Sequence, residues 1–174
     1  MTTPSHVAVG YLISRFFVVH GILPHEHASY VMGVIFANLP DIDGALALRT
    51  VYNHQNHLKA FSHYPVNWAL VLVFFFLLSL PFGFTLLPEY MLLAVLCILS
   101  HFVLDTFSIY GGIAWLGPWH KKKYSFIRIM PVVPSNNHEW VHWYLKHWII
   151  YVEAALWAVT ILTILKANHF MISP

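Results

Sequence analysis

The sequence predicts an all-α protein: a polytopic membrane bundle of about five helices with a metal site at one membrane face. Three observations predict it. Only 9% of the 174 residues are charged and 59% are hydrophobic, with a mean hydropathy of +0.65. A soluble domain carries about a quarter charged residues, so the missing charge implies a lipid-facing exterior. Apolar stretches recur at the roughly 20-residue length that a helix needs to cross the hydrocarbon core. Histidine is abundant, with 13 against 7 acidic residues and 9 Lys plus Arg, and it is the commonest metal ligand. The length allows one domain, residues 1–174.

Two spans stand out. Residues 66–87 are apolar except for Asn67, Ser79 and Thr85, and Pro81 is expected to kink or end their helix. Residues 90–109 form the second, separated from the first by Pro88 and Glu89. A third, residues 147–165, contains one acid, Glu153. Its helix can begin earlier, since Asn136 and Glu139 stand in capping-box register. Nearer the N-terminus, residues 6–22 and 28–39 read as two helices joined by a turn containing Pro24, His25, Glu26 and His27. The second is short for a full crossing. A cleaved secretory signal is not expected, because Arg15 interrupts the first apolar stretch and no small-residue cleavage site follows. The single cysteine, Cys97, excludes a disulfide framework and a multi-thiolate zinc site, and reads as a buried inert thiol.

Following the helices across the membrane and back places His6, Asp41, Asp43, His54, His57, His63, His101, Asp105, His138 and His142 at one face. Arg49, Lys59, Lys121, Lys122, Lys123 and Arg128 share that face, which the positive-inside rule makes cytoplasmic. His20, His25 and His27 fall on the other side. Arg15 and Glu153, each roughly 9–14 Å deep at 1.5 Å per residue, are expected to pair, since an unpaired charge at that depth is costly.

Within the shared face, His101 and Asp105 stand at i, i+4, on one side of an apolar helix. They read either as metal ligands or as a His–Asp hydrogen bond joining two helices. Asp41 and Asp43 follow a helix end, where paired carboxylates bind a hard cation or cap a solvated turn. His57 and His63 are better donors than His54. His138 and His142 have metal-capable spacing but lie among Trp140, Trp143 and Trp148, as in an interfacial aromatic belt. Lys121, Lys122, Lys123 and Arg128 either set topology or attract an anionic headgroup.

These residues in this order resemble a known pattern. Thr2-Thr3-Pro4-Ser5-His6, Pro40-Asp41-Ile42-Asp43, His57 with Phe61-Ser62-His63, His101 with Asp105, and a Trp- and Pro-rich segment reaching Tyr124-Ser125-Phe126 are similar to the YdjM-like family. The likeness covers most of residues 1–130. It implies a LexA-binding, inner-membrane-associated, metal-dependent hydrolase of bacteria. The family's His-Arg-Gly-x-Thr-His-Ser stretch is one residue longer here, from His57 to His63. The ligand order also resembles zinc-dependent phospholipase C, an all-helical enzyme with a zinc cluster.

The function expected from the whole is metal-dependent hydrolysis of a lipid phosphoester or phosphoanhydride. Zinc, in two or more ions, would be held by His6, Asp41, Asp43, His57, His63, His101 and Asp105. Asp43, Asp105 and His138 are the catalytic candidates, and Lys121, Lys122, Lys123, Arg128 and His142 the substrate-binding ones. No nucleic-acid partner is expected. A metal or proton transporter and a noncatalytic scaffold with a structural metal are the rivals. A transporter predicts polar residues along a whole path, which the 66–87 span lacks.

Overall fold

The computed structural model describes residues 2–42, 61–83, 87–108, 112–127, 142 and 144–172. The described residues are all-helical, without a strand. Their α-helices are α1 (Thr3–Val19), α2 (His27–Asn38), α3 (Pro65–Ser79), α4 (Leu87–Thr106) and α5 (Ile149–Ile172). Short 3-10 turns lie at Leu39–Asp41, Phe61–His63 and Leu80–Phe82. Among the described residues, three stretches are long and apolar enough to cross a membrane: Pro65–Phe82, Pro88–Thr106 and Ile149–Lys166.

Prolines set several boundaries. Pro4 and Pro65 sit in the first turns of α1 and α3, where the missing amide hydrogen has no helical partner to lose. Pro88, expected to separate two helices, lies inside the first turn of α4 for the same reason. Pro81 falls in the 3-10 turn after Ser79, and Gly83 then adopts φ +61°, ending that span. α5 runs beyond the apolar stretch, through Lys166 to Ile172.

α1 and α2 form the tightest pair, and α4 packs against both. Their approach depends on small residues. A Cβ on Gly33 would come within 1.8 Å of Ser14 Oγ and 2.7 Å of the Gly10 carbonyl oxygen. A Cβ on Gly10 would meet the Gly33 carbonyl at 2.5 Å and the Ala37 methyl at 2.8 Å. Small residues one turn apart on facing helices let backbones meet in lipid, where burial of apolar surface gives little drive. Phe17, Val18, Leu23, Ala37, Leu93 and the free Cys97 fill the centre of this trio. α3, by contrast, exposes Leu70, Phe74, Phe75, Leu77 and Leu78, as expected of a helix facing lipid tails.

A second cluster (Ile98, Phe102 and Ile113, flanked by Trp68, Leu72 and Trp115) ties α3 and α4 to the 112–127 segment. That segment is a hairpin closed by an isolated bridge between Ile113 and Tyr124. Gly112 has φ +68°, and a Cβ there would lie 1.9 Å from the Tyr124 carbonyl oxygen. The hairpin is pinned to Thr106, which receives Trp115 Nε1 at 3.1 Å on its hydroxyl and the Phe126 amide at 3.0 Å on its carbonyl. Thr106 directly follows Asp105.

The expected ion pair of Arg15 with Glu153 does not form. Glu153 instead receives the backbone amide of Thr2, at the opposite end of α1 from Arg15. Depth counted from the apolar boundary of α5 misplaces it. Glu153 lies level with the first turn of α1, and Arg15 is thirteen residues further along, roughly 20 Å at 1.5 Å per residue.

Candidate metal centre

Four elements deliver the donors. α1 brings His6 in its first full turn, and the 3-10 turn after α2 brings Asp41. The turn before α3 brings His63, and the last two turns of α4 bring His101 and Asp105. His6, His63, His101 and Asp105 are buried, while the Asp41 side chain retains 22% exposure. The cluster is therefore closed on the helix side and open beside Asp41.

One donor atom each from Asp41, His63, His101 and Asp105 lies within 4.8 Å of the others. Nε2 of His101 is 3.4 Å from Asp41 Oδ1 and 3.4 Å from Asp105 Oδ2. Nε2 of His63 is 3.4 Å from Asp41 Oδ1 and 3.6 Å from Asp105 Oδ2. A tetrahedral ion with bonds of about 2.0–2.2 Å holds its ligands roughly 3.3–3.6 Å apart, so these separations suit one shared cation. Asp105 also turns its other oxygen, Oδ1, to within 3.3 Å of His6 Nε2. The His6 ring stacks on that of His101 with centroids 3.9 Å apart.

The surroundings aim these atoms. His101 Nδ1 lies 2.8 Å from the Ala37 carbonyl oxygen. A carbonyl can only accept, so Nδ1 carries a proton and Nε2 is the nitrogen available to a cation held between the carboxylates. This is the outer hydrogen bond that fixes a metal-binding imidazole. Nε2 of His101 is buried without a hydrogen bond in the protein. A buried ring nitrogen without a hydrogen bond, set beside two carboxylates, is the condition a cation relieves. The residues fit a metal ion.

His63 is held through its backbone. Asn67 Nδ2 donates to the Phe61 carbonyl at 2.8 Å and Trp68 Nε1 to the Ser62 carbonyl at 2.7 Å. The first turn of α3 thus locks the 3-10 turn that carries His63. Tyr64 packs its ring against Gly117, where an added Cβ would lie 2.1 Å from Tyr64 Cδ1. The hairpin and the His63 turn are consequently braced against each other.

The remaining candidates are placed as follows. Asp43, His54, His57, Arg128 and His138, with Asn136, Glu139, Arg49 and Lys59, lie outside the described residues. Lys121 and Lys122 are exposed on the hairpin and Lys123 is half-buried, with Lys122 Nζ 5.4 Å from the Tyr124 ring centroid. His142 is exposed, outside the buried cluster. His20 is exposed, with Nδ1 2.8 Å from the Phe16 carbonyl. The turn after α1 sits by the start of α4: Ser29, in the first turn of α2, donates its hydroxyl to the Pro24 carbonyl at 2.8 Å and lies 3.1 Å from the Tyr90 hydroxyl, at the end of α4 remote from Asp105. Sequence reasoning missed Ala37, Trp68 and Thr2 as supports. Asn67 and Glu153, isolated polar residues in apolar spans, were the available signal.

Fold and site together define a helical membrane protein with a buried His/Asp cluster able to hold a metal ion. The model of the family YdjM inner membrane protein matches residues 1–171, and the chain belongs to that family. No curated protein and no solved structure shows significant similarity to it.

Proposed function

We propose that the protein is a membrane-embedded metal-dependent hydrolase acting on a phosphoester or phosphoanhydride of a lipid. The observation that carries this reading is the convergence of Asp41, His63, His101 and Asp105 at cation-ligand spacing, with His6 on the second oxygen of Asp105. Five nitrogen and oxygen donors exceed a closed four-coordinate structural site, which favours more than one ion or an open position. Asp43 and His57 would complete the set. A divalent ion, zinc by this donor chemistry, would supply Lewis acidity and an acidified water.

The chain's own groups have distinct tasks in this reading. Both Asp105 oxygens face imidazoles, so Asp105 organises the cluster, whereas Asp43 is the better base for the attacking water. His138 is the candidate acid for the leaving oxygen. Substrate would enter beside Asp41, the exposed donor. Lys121, Lys122, Lys123 and Arg128, with His142, would attract the anionic headgroup at a cytoplasmic surface. Leu116, Trp119 and Phe126, exposed on the same hairpin as the lysines, would meet the lipid at membrane level. A transporter is less well supported, because α3 buries only Asn67 among its residues and the described donors gather at one end of the bundle.

The test is metal analysis of purified protein, wild type against Asp41→Ala and Asp105→Ala, with a hydrolysis screen over phospholipids and polyprenyl phosphates. Wild type should retain at least one equivalent and release product, and both variants should lose metal and turnover together. Wild type without metal at neutral pH would refute the reading. Metal without turnover on any lipid would favour the scaffold.

A further inference from the structure

Glu153 is a carboxylate inside the apolar span of α5, and only 6% exposed. Such a group is tolerated in a membrane span when its oxygens are satisfied, and it then marks a working part of the protein. Oε1 accepts the Thr2 backbone amide at 3.0 Å, while Oε2 accepts the Thr2 hydroxyl at 2.5 Å and the Tyr144 hydroxyl. Thr2 is the N-cap of α1, yet its hydroxyl makes no capping bond to that helix. The carboxylate that meets the positive end of α1 comes from a helix 151 residues later.

Thr2 and His6 are i and i+4, so the clamp lies one turn from the His6 imidazole and on the same side of α1. His6 in turn is stacked on His101 and directed at Asp105 Oδ1. We propose that Glu153 is a positioning residue for the metal centre: by holding Thr2, with Tyr144 as its brace, it sets the rotation and height of α1 that place His6 against Asp105. The last helix, which contributes none of the described donors, thereby governs the donor from the first. This rests on the reading of the cluster as a metal centre.

The test is a double-mutant cycle on the full chain in detergent, with zinc affinity measured by chelator competition for wild type, Glu153→Gln, His6→Ala and the double variant. Glutamine keeps the size but cannot accept from all three donors. Glu153→Gln should weaken zinc about tenfold, within the roughly 10–100-fold range for losing a group that orients a ligand, and should add nothing once His6 is absent. An equal loss with and without His6 would make Glu153 a general stabiliser and overturn the proposal, as would an unchanged affinity. If Glu153→Gln does not fold, Tyr144→Phe carries the same cycle with a smaller expected loss. Amide exchange gives a readout free of metal: Glu153→Gln should speed exchange in the first two turns of α1 and leave α3 unchanged. No change there overturns the clamp. Wild type that binds no zinc overturns the hydrolase reading, and amide exchange still decides whether Glu153 holds α1.

Discussion

At the scale of single residues, the His/Asp cluster depends on groups that are not themselves candidate ligands. Trp68 holds the Ser62 carbonyl and so the turn bearing His63. Trp68→Phe keeps most of the packing but leaves that carbonyl without its donor. It should cost about 1 kcal/mol of stability and weaken metal binding several-fold, read by thermal unfolding and chelator competition on the same sample. His101→Gln, losing the imidazole whose Nε2 faces two carboxylates, should abolish binding outright in metal analysis. The donors themselves were legible in the sequence, because ionisable residues are conspicuous in apolar surroundings. Their supports were not. The Ala37 carbonyl that fixes the His101 tautomer is a backbone group, which no side-chain pattern marks. The role of Trp68 depends on which way its ring points around α3, and that is settled by packing.

Among elements, the α1–α2 crossing sets the spacing of the site, since α1 carries His6 while α2 supplies the Ala37 carbonyl and leads into Asp41. Gly33→Ala places a methyl into Ser14 Oγ. It should destabilise the bundle by about 1–3 kcal/mol, the usual range for overpacking. Adding Ser14→Ala should restore part of the loss, because the nearest clashing atom is then gone; the melting temperatures of the two variants decide it. The 112–127 hairpin offers a parallel case. Gly112→Ala forces a left-handed backbone onto a residue with a side chain, at about 1–2 kcal/mol, and drives the new methyl into the Tyr124 carbonyl. Melting should fall and the hairpin should become cleavable by protease near Lys121. The existence of the described helices was legible from hydropathy, while their boundaries moved: α3 stops at Ser79 ahead of Pro81, α5 runs on to Ile172, and α4 starts earlier because proline joins its first turn. Pro88 shows the reason: a residue that breaks helix interiors is acceptable in their opening turn.

For the molecule as a whole, reading successive helices as running in opposite directions made the meeting of His6, Asp41, His63, His101 and Asp105 readable, although they span a hundred residues. Helices that alternate in direction bring every second connection to the same end, so residues near those connections collect. The partner of Glu153 escaped that logic, because threading fixes which end a residue is near but not how far each helix slides along its neighbour. The same threading makes an orientation prediction. With Cys97 buried and unreactive, a cysteine at Lys122 should react with an impermeant maleimide only when the cytoplasmic surface is opened. One at His25 should react from outside. The reverse pattern would turn the site outward. Finally, the order of donors along the chain has a bearing on biogenesis. Asp41 and His63 leave the ribosome well before His101 and Asp105, and the Glu153 clamp on α1 forms only after α5 is made. In the proposed metal centre the early segment therefore enters the bilayer before the α4 donors exist, and ion capture waits until α4 has been made. A nascent chain stalled before α4 would hold half a coordination sphere, and one stalled before α5 a whole sphere whose first histidine is still untethered.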